Sequence, residues 1–304
     1  MFKHLLVPLD GSHLSETALP AAAYLARVMN ASVMLIHIIE HNAPKEVHSE
    51  RHLTDPQEAE AYLEEIARRA FPPEIKVEMH VHSSEVSRIA PSIVEHAEEM
   101  HDDLVVMCTH GKGGVRDWIY GSIAQQVTGM KKTPVFLIRP NPNEASRDYQ
   151  CRKILVPLDR IPEHEQGLPL AIDLAKACGA DLHLVMVVPT FGTLDGERKA
   201  ASRLMPAATA VALNMVEVEA EDYLKTILAR LQESGITITT EVRRGDPAAS
   251  VVDAAEEAGA DLIILGTHGK AGMDAFWSGS VAPKISSRSS VPLLLVPIAD
   301  EETK

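Results

Sequence analysis

Runs such as Val33-Met-Leu-Ile-His-Ile-Ile39 and Leu262-Ile-Ile-Leu265 do not alternate polar and apolar positions, which predicts strands covered on both faces, as in a parallel sheet. Between such runs lie longer segments with apolar stripes at helical spacing, for example Val251, Val252, Ala255 and Ala258. The pattern predicts strands near 3–8, 32–39, 75–81, 103–107 and 134–138, and again near 152–157, 181–188, 236–242, 261–265 and 292–296. Asp55-Pro56 and Asp246-Pro247 each open a predicted helix, the acid capping free amides and proline taking the first helical position. Gly259 closes the second of these. Strands alternating with crossover helices specify an α/β fold of open, doubly wound parallel sheets, whose ligand crevice lies beyond the carboxyl ends of the strands.

The two sets of strands belong to an internal repeat. Lys3-His-Leu-Leu-Val-Pro-Leu-Asp10 recurs as Arg152-Lys-Ile-Leu-Val-Pro-Leu-Asp159, and Thr109-His-Gly-Lys112 recurs as Thr267-His-Gly-Lys270. Thr133-Pro-Val-Phe-Leu-Ile138 returns as Val291-Pro-Leu-Leu-Leu-Val296. The offset is 149 residues at the first match and 158 at the others, so the second copy carries about nine extra residues, placed between Pro189 and Glu217. The polar segment 141–150 reads as the linker, giving domains over 1–141 and 151–299, each with a five-stranded sheet. The last strands, Val135-Phe-Leu-Ile138 and Leu293-Leu-Leu-Val296, are apolar edges, and the two halves are expected to cover them by packing together about a pseudo-twofold axis.

After the fourth strand of the second copy comes Gly266-Thr-His-Gly269-Lys-Ala-Gly-Met-Asp-Ala-Phe-Trp-Ser-Gly279-Ser280, and then a segment that starts as a helix. Glycine lets backbone approach a ligand closely, and amides at a helix start face an anion. This spacing resembles the nucleotide-binding loop of the universal stress protein family. The resemblance extends to the Val-Pro-Leu-Asp159 strand end, to Arg244-Gly-Asp-Pro247 and to Val291-Pro292, and it covers nearly all of both halves. It implies tandem adenine nucleotide alpha hydrolase-like sheets of strand order 3-2-1-4-5, ATP or AMP as ligand, and association into homo-oligomers; a Mg²⁺ ion beside the phosphates is left open. It further implies that Asp159 accepts from the adenine amino group and that Pro157 and Val187 line the base. Gly266, Gly269, Gly279, Ser280 and Val281 then hold ribose and phosphates, with Lys270 reaching the distal phosphates.

In the first copy Asp10, Ile38, Gly111, Gly121 and Ser122 take the matching places, but Cys108 stands where the second copy has Gly266, and Gly-Asp-Pro has no counterpart near Ser87-Arg-Ile89. The first copy is therefore expected to bind more weakly. The bland alternatives are a plain tight loop for the glycines and a helix cap for Asp10 and Asp159. Trp118 and Trp277, nearly aligned, read as anchors of the loops.

The 43 acidic against 29 basic residues give a formal charge of -14, which repels nucleic acid and anionic membranes. No segment is apolar enough for a membrane span and the N-terminal run is too short for a signal peptide, so a cytoplasmic location is expected. Three cysteines, Cys108, Cys151 and Cys178, lack paired spacing. Cys108 could serve as a redox sensor only as a stabilised thiolate. His80 and His82 would share a strand face, and His48 and His52 a helix face, yet no motif joins these pairs into a ligand set and no metal site is assigned.

A GxxxxGK[ST] loop is absent, and no catalytic residue is assigned. The reading is an adenine-nucleotide-binding regulator in a stress response, with its main site in the second half and an unidentified protein partner. The alternatives are a scaffold with vestigial sites and a slow ATPase or self-phosphorylating protein, with Ser280 the candidate hydroxyl.

Overall fold

The computed structural model describes residues 1–44, 46–47, 50–109, 122–130, 132–140, 148–194, 196–267 and 281–298. By spatial contact the chain forms two compact units, one of residues 1–150, 267–283 and 292–304, the other of residues 151–266 and 284–291.

In the first half β1 (His4–Pro8), α1 (Leu19–Met29) and β2 (Ser32–Glu40) are followed by a small hairpin, β3 (Glu46–Val47) and β4 (Glu50–Arg51). Then come α2 (Pro56–Ala70), β5 (Val77–Val86), α3 (Ile89–Glu99), β6 (Leu104–Cys108), α4 (Ser122–Gly129) and β7 (Val135–Ile138). In the second half β8 (Lys153–Leu158), α5 (Gly167–Cys178) and β9 (Asp181–Val188) lead into α6 (Gly196–Leu204) and α7 (Pro206–Arg230). They are followed by β10 (Ile238–Arg244), α8 (Pro247–Ala258), β11 (Leu262–Thr267), α9 (Val281–Arg288) and β12 (Leu293–Pro297).

The sheet of the first unit runs β12-β7-β6-β1-β2-β5. Its parallel part, β5-β2-β1-β6-β7, has the expected 3-2-1-4-5 order: three crossovers join neighbouring strands, and the one from β5 to β6 carries the chain back past β2 and β1 to the other side of the sheet. β12 adds antiparallel to β7, with Leu294 opposite Phe136. In the second unit the strands run β10-β9-β8-β11, all parallel. Leu5, Leu6 and Val7 of β1, like Ile154, Leu155 and Val156 of β8, are buried, which is why these strands are continuous apolar runs.

The repeat carries its own joint. The Asp103 carboxylate accepts from the amides of Lys3 and His4 at 2.7 and 3.1 Å, and Asp261 accepts from those of Arg152 and Lys153 at 2.7 and 3.0 Å. In both copies the residue before the fourth strand thus satisfies amides at the start of the first, fixing the pair that flanks the crevice.

The helix starts follow the capping signals. Asp55 accepts from the amides of Gln57 and Glu58, Asp246 from that of Ala249, and Gly259 ends α8 at φ 62°. The extra residues of the second copy go into helix. Where the first half has the hairpin and the 15-residue α2, the second has α6 and the 25-residue α7. His52 corrects one expectation: it lies between β4 and α2, outside any helix, so it shares no helix face with His48, which is outside the described residues.

Candidate functional site

The strand order of the first unit reverses direction between β1 and β6, and there a crevice opens beyond the strand ends, since the following helices leave to opposite faces. A cavity of about 240 Å³ fills this position. Pro8, Leu9 and Asp10 contribute from the end of β1, and Met107 and Cys108 from the end of β6. Ile36, Ile38 and Glu40 of β2, with Ile89 and Ile93 of α3, supply an otherwise apolar wall.

Asp10 is held by its own loop. Its Oδ1 accepts from the amide of Ser12 at 3.0 Å and from the Ser12 hydroxyl at 2.6 Å, while Ser15 Oγ donates to the Ser12 carbonyl at 2.8 Å. Gly11 between them sits at φ 85°, where a Cβ would also meet the Leu53 side chain at 2.8 Å, so the turn favours glycine. His37, buried beneath, has its ring nitrogens 2.8 Å from the Leu9 carbonyl and 3.0 Å from that of Leu53, tying the end of β1 to the segment before α2.

The second copy reproduces this turn with different chemistry. Asp159 Oδ1 accepts from the amide of Ile161 at 3.1 Å, and its Oδ2 is 2.6 Å from His164 Nδ1. Arg160 takes the place of Gly11 and holds a left-handed φ of 66°, with its guanidinium on Glu219 of α7 at 2.6 Å. Neither aspartate caps a helix; both fold back on an amide two residues on, the turn-forming habit of this side chain. Pro157, Val187, Gly266 and Val281 are all partly exposed, with Pro157 in β8, Val187 near the end of β9, Gly266 near the end of β11 and Val281 opening α9. Gly111, Gly121, Gly269, Lys270, Gly279 and Ser280, with Trp118 and Trp277, lie outside the described residues, as does the Ser122 side chain.

The structure brings Asp10, Ile38 and Cys108 to one cavity, and adds Glu40, Ser15 and His52, which the repeat did not single out. His52 is buried, and its Nδ1 has no hydrogen-bond partner among the described residues. In the sequence His52 stands out only as the partner of His48, a pairing that carries no link to this cavity.

Cys108 is 3% exposed, and burial, reinforced by the Asp10 charge, pushes its thiol up to about 12. The group is a neutral wall residue at physiological pH, contrary to the thiolate that a redox sensor needs. Alkylation of the native chain at pH 8 is expected to modify the half-exposed Cys178 while sparing Cys108, which reacts only after denaturation. Mass spectrometry of labelled peptides checks this, and equal native rates for the two would refute it.

Comparison with known proteins agrees with this architecture. Residues 1–139 and 150–297 each match the universal stress protein family. A universal stress protein E homolog of Haemophilus influenzae is 25% identical over 329 aligned positions, covering 96% of each chain. A universal stress protein of Methanocaldococcus jannaschii is 29% identical over 145 residues, 48% of this chain and 81% of the relative. Among solved structures, a universal stress protein from Archaeoglobus fulgidus has the same fold at a TM-score of 0.68 and 19% identity, covering 98% of this chain and 97% of that one. Two successive family matches, on a repeat whose halves share strand order, aspartate turns and strand joints, make this chain a tandem member of the universal stress protein family.

Proposed function

We propose that the chain is an adenine-nucleotide-binding regulatory protein that takes ATP or AMP, with its tighter site in the second repeat and a weaker one in the first. The observation that carries the reading is the cavity at the β1/β6 switch point, walled by aliphatic side chains and edged by the Asp10 carboxylate. Its volume is below the roughly 300–1,000 Å³ of sites that enclose a drug-sized ligand, and so suits a planar base more than a whole nucleotide. An acceptor at the rim of an apolar slot favours a ring with an exocyclic amino group. In the second repeat the same roles fall to Asp159, Pro157 and Val187, with Gly266 presenting backbone where Cys108 presents a side chain. Ribose and phosphates are assigned to the glycine loops, Gly266 to Ser280 in the second repeat and Gly111 to Ser122 in the first. Binding there would set the state of those loops, which a partner could read.

Acid extraction of the freshly purified chain, followed by chromatography, tests this. Adenine nucleotide at about one or more per chain is expected; none recovered, together with no calorimetric binding at millimolar ATP or AMP, would end the proposal.

A scaffold reading draws on a different observation. Val211, Met215 and Val218 are 59%, 59% and 56% exposed at helical spacing on α7, an apolar row unusual on a solvent face. That reading gains if nucleotide is absent and α7 substitutions change association.

A further inference from the structure

His80 and His82 stand two residues apart on β5, the edge strand, and so project from the same face. The packing of α3 places His96 against them, its ring centroid 5.1 Å from that of His80 and 4.8 Å from that of His82. One ligating nitrogen from each of the three lies within 4.8 Å of the others, and His82 Nδ1 is 3.2 Å from His96 Nε2.

From this juxtaposition of His80, His82 and His96 we propose a three-histidine binding site for a divalent zinc-type ion, with a fourth, open position. Zinc–imidazole bonds of about 2.0–2.1 Å in a tetrahedron set the nitrogens roughly 3.3 Å apart, so the His82–His96 edge already has the required length. His80 has to close by up to about 1.5 Å, a side-chain adjustment on an edge strand where it is only partly buried. His96 is buried and oriented: its Nδ1 donates to the Ser92 carbonyl at 2.7 Å, because a carbonyl can only accept, and this leaves Nε2 with its lone pair toward His82. A metal-binding imidazole held through its other nitrogen by a carbonyl is the arrangement that fixes tautomer and ring angle in zinc sites. Three imidazoles with neither thiolate nor carboxylate favour zinc, copper or nickel over magnesium or calcium.

Tag-free full chain, stripped with chelator and titrated with Zn²⁺ against a chromophoric competitor, is expected to take up one ion per chain. Co²⁺ in its place should give the visible absorption of a tetrahedral nitrogen site. His80→Ala and His82→Ala, on the partly exposed strand, should each weaken binding at least 10-fold, while His183→Ala in the second half should leave it unchanged. Circular dichroism of each variant separates lost binding from lost folding, and should His96→Ala not fold, the two strand variants still decide. Absence of saturable binding at micromolar Zn²⁺, or binding that survives the His80→Ala/His82→Ala double change, would overturn the site and leave the His82–His96 contact as a plain hydrogen bond.

Discussion

Phe136→Ala is expected to destabilise the first unit by about 3–5 kcal/mol, the range for emptying an aromatic position in a packed core. The ring is fully buried, and its strand is paired on both sides, with Val106 opposite on β6 and Leu294 on β12. The Tyr149 ring meets it nearly edge-on at 5.8 Å and is itself edge-on to Tyr24 at 5.4 Å. Collapse around the lost ring is limited because backbone ladders hold both flanks, so most of the cavity term persists. At roughly 2–4 °C per kcal/mol for a unit of this size, the melting transition of the first unit should fall by about 6–20 °C. A fall under 3 °C in scanning calorimetry would show that β7 is not the central packed strand described here.

Gly266→Cys is expected to weaken nucleotide binding by the second repeat about 10–100-fold. Cys108, its counterpart in the first repeat, ends β6 with a buried side chain that forms part of the cavity wall. Placing the same side chain near the end of β11 intrudes where the proposed ligand meets backbone, and overpacking of this kind costs about 1–3 kcal/mol. The reciprocal Cys108→Gly should strengthen the first site. Gly266→Cys is read by calorimetry on the full chain with Asp10→Ala in the background, which leaves the second site to be read alone, and Cys108→Gly with Asp159→Ala, which leaves the first. Unchanged affinity in Gly266→Cys would remove the reason for ranking the second repeat above the first. The Asp159–His164 contact gives a second handle on the proposed function, under which an adenine amino group would share that carboxylate with the imidazole.

The 3-2-1-4-5 order follows from the family resemblance alone, but the main strand positions, the parallel α/β class and the repeat are legible in the amino-acid sequence itself. Each rests on local or near-local physics. A strand buried on both faces must be apolar throughout, as in Val33–Ile39 and Leu262–Leu265; an aspartate before proline caps a helix, as at Asp55 and Asp246; and a right-handed crossover leaves few topologies. Asp10 and Ile38 are placed at the strand ends by the family resemblance carried across the repeat, and they line the crevice that an open parallel sheet forms there.

What only the tertiary structure decided depends on which side chains distant segments bring together. His80 and His82 were visible as a same-face pair, but the third histidine, His96, comes from α3, and its approach follows from how that helix packs on the sheet. No spacing rule links a strand residue to a helix residue 14 or 16 positions away across a turn. His52 enters the cavity wall through the hairpin β3–β4, too short to leave a periodic signal, and Cys108 became an inert wall residue only once its burial was known. Periodicity and end signals are carried by neighbours in the chain, and the sequence therefore determines them; the three-histidine cluster, orphaned polar atoms and shifted thiols are set by neighbours in space, which exist only after the helices have docked.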